Sequence, residues 1–302
     1  MHKSTIFFAA VSLVLAAALG GAVLWLARAG PQQHGVPGGA GHIRLGLPEA
    51  SGDSEAGDEA QAGSALVWDP AAGVILFAAN GFERRPIASI TKLMTAMVAL
   101  DFGIDWNAEV TIEPDEYVIG GRLLLHDGEH VTNRDLFHAA LLGSANNATL
   151  ALVRSLGVSE REFTQAMNRK AIALGLEQTE FYDVTGLSAK NVSTAYEVAR
   201  MAETAWRDYP AIAEATARTE YTYQVGGSGR EHTIKNTNKL ITDEGMALLG
   251  GKTGYLDEAR YCLVAQSADS ATPRIAVVLG SATEEESVQS VKTLLQLDYG
   301  GI

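Results

Sequence analysis

Three short motifs contain the residue types that nucleophilic chemistry requires. They are Ser89-Ile90-Thr91-Lys92, Ser144-Ala145-Asn146 and Lys252-Thr253-Gly254. A serine hydroxyl is a poor nucleophile until a base removes its proton. Residues three positions apart lie on the same side of a helix, so the Lys92 amine can reach the Ser89 hydroxyl. The first motif therefore predicts a serine nucleophile with a lysine as its base.

A lysine can act as that base only if its pKa falls far enough to leave part of the amine neutral. Burial and a second cation both lower a lysine pKa, and Lys252 is the candidate for that cation. The residues from Arg84 to Ala88 predict an extended approach, after which Ser89 is expected to cap a helix with a buried face. Backbone N–H groups and the helix dipole at such a helix start favour an oxyanion.

Each motif has a simpler interpretation when it is taken alone. Ser-x-x-Lys also occurs in ordinary capped helices, and Ser-x-Asn occurs in loops. The run from Met246 to Gly251 is apolar and predicts a buried strand with Lys252 at its end. A phosphate-binding P-loop needs four residues between its first glycine and Gly-Lys-Thr. Five residues separate Gly245 from Gly251, so the spacing disfavours nucleotide binding.

Together, the motifs resemble those of the penicillin-binding serine D-alanyl-D-alanine carboxypeptidases, the low-molecular-mass family of cell-wall peptidases. The resemblance extends from about Ser64 to the C-terminus. It includes Val67-Trp68-Asp69-Pro70, Gly73 to Leu76, Arg85 to Ser89, Met167 to Ala171, Leu174-Gly175, Thr185-Gly186-Leu187 and Asn236-Thr237-Asn238.

The resemblance implies three catalytic residues. Ser89 would be acylated by the penultimate D-Ala carbonyl of a peptidoglycan stem peptide, with Lys92 as its base. Ser144, helped by Lys252, would pass a proton toward the leaving amine. Water would then release the acyl-enzyme, whereas β-lactams would trap Ser89 as a long-lived adduct. No cofactor is expected.

The resemblance also implies a set of substrate-binding residues. Asn146 would hydrogen-bond the substrate amide, and Thr253 would hold the terminal carboxylate. Lys252 and Gly254 belong to the same substrate-binding strand. The backbone N–H groups of Ser89 and Tyr255 would form the oxyanion hole.

Two departures from the family pattern concern the substrate. The family usually has Thr-Gly-Tyr-Thr-x-x-Ala-Gly after the lysine, whereas this chain continues from Tyr255 to Arg260 with Leu256 and Arg260 in place of a threonine and a glycine. Many members also have an arginine near the start of the last helix, where this chain has Glu284-Glu285-Glu286. The alternative is a D,D-endopeptidase, which cuts a cross-link between two stem peptides.

The order of predicted elements is strands, helices, strands and a last helix, which indicates an α+β fold of the β-lactamase and transpeptidase type. Strands are expected at 65–68, 73–77, 246–252, 261–267 and 274–279, with a hairpin around Gly226 to Gly229. A mostly helical stretch is expected from Asn133 to Tyr209, and a last helix from Val288 to Leu297. The sheet should be antiparallel and flanked by helices, with a helical subdomain that carries Ser144.

The first part of the chain predicts a membrane anchor and a linker. The run from Ile6 to Ala27 has no charged residue, and as a helix it would span roughly 30 Å, which is the thickness of a bilayer core. We therefore expect an anchor in residues 1–28, although Ala27-Arg28-Ala29 is compatible with cleavage. Residues 29–63 have the composition of a flexible linker, and residues 64–302 are expected to form the D,D-peptidase domain on the outer side of the membrane.

Charge and composition disfavour other classes of protein. A formal net charge of -13 disfavours nucleic-acid binding, which relies on clustered Lys and Arg. The single Cys262 lies in an apolar run and is expected to be a buried strand residue. The histidines show no metal-binding spacing, so no metal is expected.

Two further functions stay open at the level of the sequence. A class A β-lactamase shares the motif order, but it has Ser-Asp-Asn and a glutamate that activates the deacylating water. The middle residue here is Ala145, and we expect slow penicillin turnover. The other alternative is a non-catalytic, membrane-tethered module that binds the cell wall.

Overall fold

The computed structural model describes residues 63–243, 245–269 and 273–299. The expected anchor in residues 1–28 and all but the last residue of the expected linker lie outside the described residues. Within the part of the chain that is described, none of the helices has both the length and the apolar composition needed to cross a bilayer. All three motifs lie inside the described segments.

The described residues form eleven β-strands and seven α-helices. The strands are β1 (Ser64–Asp69), β2 (Val74–Ala79), β3 (Arg85–Pro86), β4 (Glu109–Val110), β5 (Val131–Thr132), β6 (Val192–Ser193), β7 (Glu220–Gln224), β8 (Glu231–Lys235), β9 (Leu248–Leu256), β10 (Arg260–Ser267) and β11 (Ile275–Ser281). The helices are α1 (Thr91–Phe102), α2 (Asn133–Leu141), α3 (Asn146–Ser155), α4 (Glu160–Ala173), α5 (Ala195–Asp208), α6 (Pro210–Ala217) and α7 (Glu284–Gln296).

A five-stranded antiparallel sheet has the strand order β2, β1, β11, β10, β9. The residues from Ile275 to Leu279 in β11 are all buried, although consecutive side chains of a strand point to opposite faces. Both faces are covered, since α5 and α7 both pack against this strand. Strand β9 is at one edge of the sheet, and it carries the third motif.

Helix α1 follows the nucleophile and is buried from Thr91 to Ala99. Its surroundings explain this burial, because it contacts helices from both the sheet side and the helical subdomain. The subdomain contains α2, α3 and α4, and the second motif ends at the first residue of α3. The first and second motifs therefore come from different layers, and the third comes from the sheet edge.

The structure confirms the α+β fold that the sequence predicts and corrects several boundaries. Strand β9 continues four residues past Lys252, so the lysine lies within the strand and not at its end. The reason is that pairing with β10 continues as far as Leu256 opposite Arg260. The last helix begins at Glu284 because Thr283 and Glu286 form a capping box, in which each side chain binds the other residue's backbone N–H.

Candidate active site

Ser89 lies in a single 3₁₀ turn, Ala88–Ile90, directly before α1. The prediction that Ser89 caps this helix is wrong, since Ile90 occupies the cap position and no side chain caps the first turn. The Ser89 hydroxyl instead lies 2.8 Å from the Lys92 amine. Ala88 has a φ of 45°, a left-handed conformation that costs a non-glycine residue about 1 kcal/mol or more. The strained turn leaves the Ser89 hydroxyl free of any capping role.

The Lys92 amine has three partners that orient it toward the nucleophile. Its Nζ atom lies 2.8 Å from Ser89 Oγ, 2.7 Å from Asn146 Oδ1 and 2.6 Å from the Thr185 carbonyl oxygen. A neutral amine has two N–H bonds and one lone pair. Asn146 Oδ1 and the Thr185 carbonyl can only accept, so they take the two N–H bonds. The lone pair is then left to accept the Ser89 proton.

Two lysines are buried in the site, each 1 % exposed. Lys252 Nζ donates to Ser144 Oγ at 2.9 Å and to the Thr253 carbonyl at 3.0 Å. Burial lowers the pKa of Lys252 to about 7. Burial also holds the pKa of Lys92 well below its ordinary value; the charge of Lys252 lowers it further and Asp183 acts in the opposite direction. Lys252 can therefore exchange protons near neutral pH, and Lys92 loses its proton more readily than an exposed lysine.

The second motif is held by hydrogen bonds to the backbone of a neighbouring loop. Ser144 has a φ of 56°, so a second non-glycine residue of the site is in the left-handed region. Asn146 begins α3, and its Nδ2 donates to the Ile119 carbonyl at 2.7 Å. The Asn146 backbone N–H donates to the Gly121 carbonyl, also at 2.7 Å. The loop from Ile119 to Gly121 thus forms one wall of the site.

The edge strand β9 forms the opposite wall. An edge strand has backbone N–H and C=O groups that no neighbouring strand uses, which suits it to pair with an extended peptide. A Cβ atom on Gly254 would lie 3.1 Å from the Ser89 nitrogen, so the absence of a side chain lets β9 approach the nucleophile. Thr253 and Thr237 share a hydrogen bond of 2.6 Å between their hydroxyls. Tyr255 follows and is half exposed.

The walls enclose a cleft of about 620 Å³. It is lined by Ser89, Ser144, Asn146, Thr253, Gly254 and Tyr255, whereas Lys92 and Lys252 lie behind it. Asp257, Glu258 and Glu284 also line the cleft, as does Leu256, and we call these three carboxylates the acidic rim. Arg260 pairs with Leu256 across the hairpin and has a φ of 55°. Among the described residues that line the cleft, none is an arginine.

Two residues of the site entered the sequence analysis only as part of the family resemblance, without a function of their own. The Thr185 carbonyl binds Lys92, and the Thr237 hydroxyl binds Thr253. Sequence reasoning gave neither of them a role, because a backbone carbonyl and a loop hydroxyl have no periodic pattern. The signal at Thr185 was the run Asp-x-Thr-Gly, in which an aspartate can bind the backbone of the residues that follow.

The arrangement can move a proton away from one hydroxyl and toward another. Lys92 is placed to deprotonate Ser89, and Lys252 is placed to supply a proton through Ser144. Lys252 does not project from a phosphate-binding loop, since it is buried within a strand. Cys262 is a buried strand residue, as the sequence predicts, and burial raises the pKa of its thiol to about 12.

The chain shows extended similarity to known proteins. It is 36% identical over 223 residues to a D-alanyl-D-alanine endopeptidase of Pseudomonas aeruginosa, covering 73% of this chain and 72% of that protein. It is 34% identical over 245 residues to the D-alanyl-D-alanine carboxypeptidase DacF of Bacillus subtilis, covering 79% of this chain and 62% of that protein.

A solved structure has the same fold. The crystal structure of the Streptomyces K15 DD-transpeptidase superposes with a TM-score of 0.70 at 28% identity, covering 76% of this chain and 94% of that one. The sequence profile of the D-alanyl-D-alanine carboxypeptidases, peptidase family S11, matches residues 51–283. The chain therefore belongs to the D-alanyl-D-alanine carboxypeptidase family.

Proposed function

We propose that the protein is a serine D,D-carboxypeptidase that removes the terminal D-Ala from peptidoglycan stem peptides through an acyl-enzyme on Ser89. The observation that carries this proposal is the contact of 2.8 Å between Ser89 Oγ and the buried Lys92 amine, whose two other partners are acceptors. Family membership supports it, since relatives in the same family are named D-alanyl-D-alanine carboxypeptidases.

In the acylation step, Ser89 Oγ attacks the carbonyl carbon of the penultimate D-Ala while its proton passes to Lys92 Nζ. The N–H groups of Ser89 and Tyr255 stabilise the oxyanion. The peptide C–N bond then breaks, and Ser144 gives its proton to the leaving D-Ala nitrogen. The Lys252 ammonium reprotonates Ser144, and the proton that Lys92 took from Ser89 then passes to Lys252. In net terms one proton has moved from Ser89 to the leaving amine, and Lys92 is neutral again for deacylation.

In the deacylation step, water attacks the ester carbonyl and its proton returns to Ser89 Oγ through Lys92. The products are the shortened stem peptide and the free enzyme. Asn146 would bind the substrate amide, and Thr253, beside Lys252 and Gly254, would bind the terminal carboxylate. A β-lactam carries the same kind of reactive carbonyl, and it would acylate Ser89 without being released quickly.

The test is covalent labelling of the full chain in detergent. Wild type incubated with a penicillin should gain the mass of one penicillin, as measured on the intact protein, and Ser89→Ala should gain none. Ser290→Ala, on α7 and outside the residues that line the cleft, is the matched control and should be labelled like wild type. Absence of an adduct on folded wild type would overturn the proposal and favour a cell-wall-binding module.

A D,D-endopeptidase is the second candidate, and the acidic rim favours it. Asp257, Glu258 and Glu284 line the cleft, where their negative charge disfavours a free terminal carboxylate. In a cross-link to the side-chain amine of a lysine in the stem peptide, no carboxylate lies beside the bond that is cut. Relatives named D-alanyl-D-alanine endopeptidases occur in Pseudomonas aeruginosa and Escherichia coli.

A product assay distinguishes the two candidates. Wild type is incubated in parallel with a monomeric pentapeptide and with a cross-linked stem-peptide dimer, and products are separated by chromatography. If the enzyme releases D-Ala from the pentapeptide and leaves the dimer intact, the result supports the carboxypeptidase. If it cuts the dimer and leaves the pentapeptide intact, the result supports the endopeptidase. Ser89→Ala gives the background for both substrates.

We also propose that residues 6–27 anchor the protein in the membrane with the peptidase domain on the extracytoplasmic side. The support is the uncharged apolar run itself and a substrate that lies outside the cytoplasm. Protease added to intact spheroplasts should remove the peptidase domain. Protection of the domain until the membrane is disrupted would contradict this orientation.

A further inference from the structure

The loop that holds Lys92 is organised by a carboxylate that the reaction does not use. Asp183 Oδ1 accepts from the backbone N–H groups of Thr185 and Gly186, each at 2.7 Å, and from the Thr185 hydroxyl at 2.7 Å. Asp183 Oδ2 accepts from the Ser188 N–H, also at 2.7 Å. One carboxylate therefore fixes the backbone of the whole loop from Thr185 to Ser188.

That loop contacts both the base and the nucleophile. The Thr185 carbonyl accepts from Lys92 Nζ at 2.6 Å. Gly186 has a φ of 88°, and a Cβ atom there would lie 2.0 Å from the Ala88 carbonyl oxygen. The loop backbone is thus in close contact with the turn that carries Ser89, so a shift of the loop would move the Lys92 amine relative to its target.

A buried asparagine joins the loop to the nucleophile segment from the other side. Asn191 Oδ1 accepts from the Asp183 N–H at 3.2 Å, and its Nδ2 donates to the Asp183 carbonyl at 2.9 Å. The same Nδ2 donates to Thr91 Oγ1 at 3.1 Å, and the Asn191 carbonyl accepts from the Ile87 N–H at 3.0 Å. Asn191 therefore supports the same loop as the Asp183 carboxylate does, but its side chain carries no charge.

The charges around Lys92 come from three elements. Lys252 of β9 lowers the pKa of Lys92, and Asp183 of the loop raises it. Glu160, at the start of α4, faces Asp183, and its own pKa is raised by burial and then by the Asp183 charge. Asp183 thus supplies negative charge on the side of Lys92 where the Thr185 carbonyl binds.

We propose that Asp183 is a positioning residue for the proposed acyl transfer: its carboxylate holds the Thr185 carbonyl on the Lys92 amine, and its charge offsets that of Lys252. The inference rests on the proposed function of Ser89 and Lys92. The loop bonds keep the Lys92 lone pair directed at Ser89 before the substrate arrives, and the charge stabilises the ammonium that forms during acylation.

The test measures the rate constant of Ser89 acylation by a penicillin over a pH range of roughly 5 to 9 in three variants and wild type. Asp183→Asn retains an oxygen acceptor for the loop but removes the charge. Lys92 should then hold its proton less tightly, so the acidic limb of the profile moves to lower pH by about half a unit to one unit. The maximal rate should fall about tenfold.

Two other variants separate charge from structure. Asp183→Glu keeps the charge and displaces the loop, so its maximal rate should fall while the acidic limb stays where it is in wild type. Asn191→Ala weakens the same loop without changing charge, and it should lower Tm and the maximal rate without moving the limb.

The outcomes distinguish this inference from the proposed function. If wild type is not acylated, the proposed function fails. If wild type is acylated, two results would overturn the positioning role. In one, the acidic limb of the Asp183→Asn profile coincides with that of wild type. In the other, Asn191→Ala moves the acidic limb as far as Asp183→Asn does. Circular dichroism and Tm of each variant identify any loss of rate caused by unfolding, and Asp183→Glu tests the loop contribution if Asp183→Asn does not fold.

Discussion

Lys92 and Lys252 are buried at positions where an apolar side chain would pack at lower cost in free energy. Desolvation disfavours the charged amine, which lowers the pKa of both lysines. Within the described part of the chain, each amine is compensated by hydrogen bonds to hydroxyl, amide or carbonyl oxygens, and not by a direct ion pair. Proton transfer gives a reason for burying them, because it needs amines whose pKa lies below that of an exposed lysine.

The first prediction at this scale concerns stability. Lys252→Met should raise the free energy of unfolding at neutral pH by about 1–2 kcal/mol, because it removes a desolvated amine. The loss of the hydrogen bond to Ser144 offsets part of this gain. It should also reduce acylation of Ser89 strongly. Chemical denaturation and penicillin labelling measure the two effects. A less stable Lys252→Met protein would contradict the prediction.

The same lysine predicts a pH dependence of stability. Its folded pKa of about 7 lies below the unfolded value, so the folded state binds fewer protons between about pH 7 and roughly pH 10. The free energy of unfolding contributed by Lys252 therefore rises with pH across that window. The difference in stability between Lys252→Met and wild type should shrink as the pH is raised, as followed by urea denaturation at several pH values.

A third prediction concerns the rate of acylation. The rate should rise with pH as Lys92 loses its proton, well below the ordinary pKa of a lysine. It should fall again as Lys252 loses its proton, around or above pH 7, because Ser144 then lacks a proton source. Stopped-flow measurement with a chromogenic β-lactam gives the profile. A rate that is still rising at pH 9 would contradict the assigned roles.

At the scale of elements, the site depends on close approach between backbones. The nucleophile turn is confined between strand β9 and the Thr185 loop, and glycines lie at both contacts. Gly254 faces the Ser89 nitrogen, and Gly186 faces the Ala88 carbonyl. Because backbone atoms cannot rotate away as a flexible side chain can, a methyl group at either position must displace a whole segment.

This arrangement predicts a difference between two glycine substitutions. Gly186→Ala and Gly175→Ala both place alanine at a positive φ, of 88° and 71° respectively. Only at Gly186 does the new Cβ meet backbone, whereas nothing lies within 4 Å at Gly175. Gly175→Ala should cost about 1 kcal/mol of stability and leave acylation unchanged. Gly186→Ala should cost more and slow acylation about 100-fold.

Thermal unfolding and the rate of penicillin labelling measure both effects. Equal labelling rates for the two variants would show that the contact of the loop with the nucleophile turn does not control the reaction.

At the scale of the whole molecule, the acidic rim belongs to a chain with a formal net charge of -13. Glu284 is paired with Lys239 at 2.6 Å, so it contributes less free negative charge than Glu258. A substrate with a free carboxylate approaches against the field of the rim, and salt at about 0.1 M largely screens that field beyond about 10 Å.

The rim therefore predicts an effect of charge on the choice of substrate. Glu258→Gln should raise kcat/KM about 2- to 5-fold for a pentapeptide with a free terminal carboxylate, and less for its C-terminal amide. Glu177→Gln, an exposed glutamate that does not line the cleft, is the matched control. The gain should disappear at high salt. An equal gain for both peptides, or in the control, would exclude selection by the rim.

The sequence determined the chemistry wherever it depends on local spacing. Ser89 and Lys92 meet because residues three apart adjoin within a helical turn, and the alternation of strands and helices predicted the antiparallel α+β fold. It placed the helix start wrongly, since the 3₁₀ turn from Ala88 to Ile90 is packed against Gly254 and Gly186, which lie elsewhere in the chain. It also ended β9 too early, because the pairing partner that extends a strand lies elsewhere in the chain.

Only the tertiary structure decided how the separate segments meet. Ser144 and Lys252 are 108 residues apart in the chain, yet their side chains form a hydrogen bond of 2.9 Å. The Thr185 carbonyl reaches Lys92 across 93 residues, and the carboxylate of Asp183 fixes that carbonyl. Such contacts depend on how helices and sheet pack together, and side-chain periodicity along one segment carries no information about them.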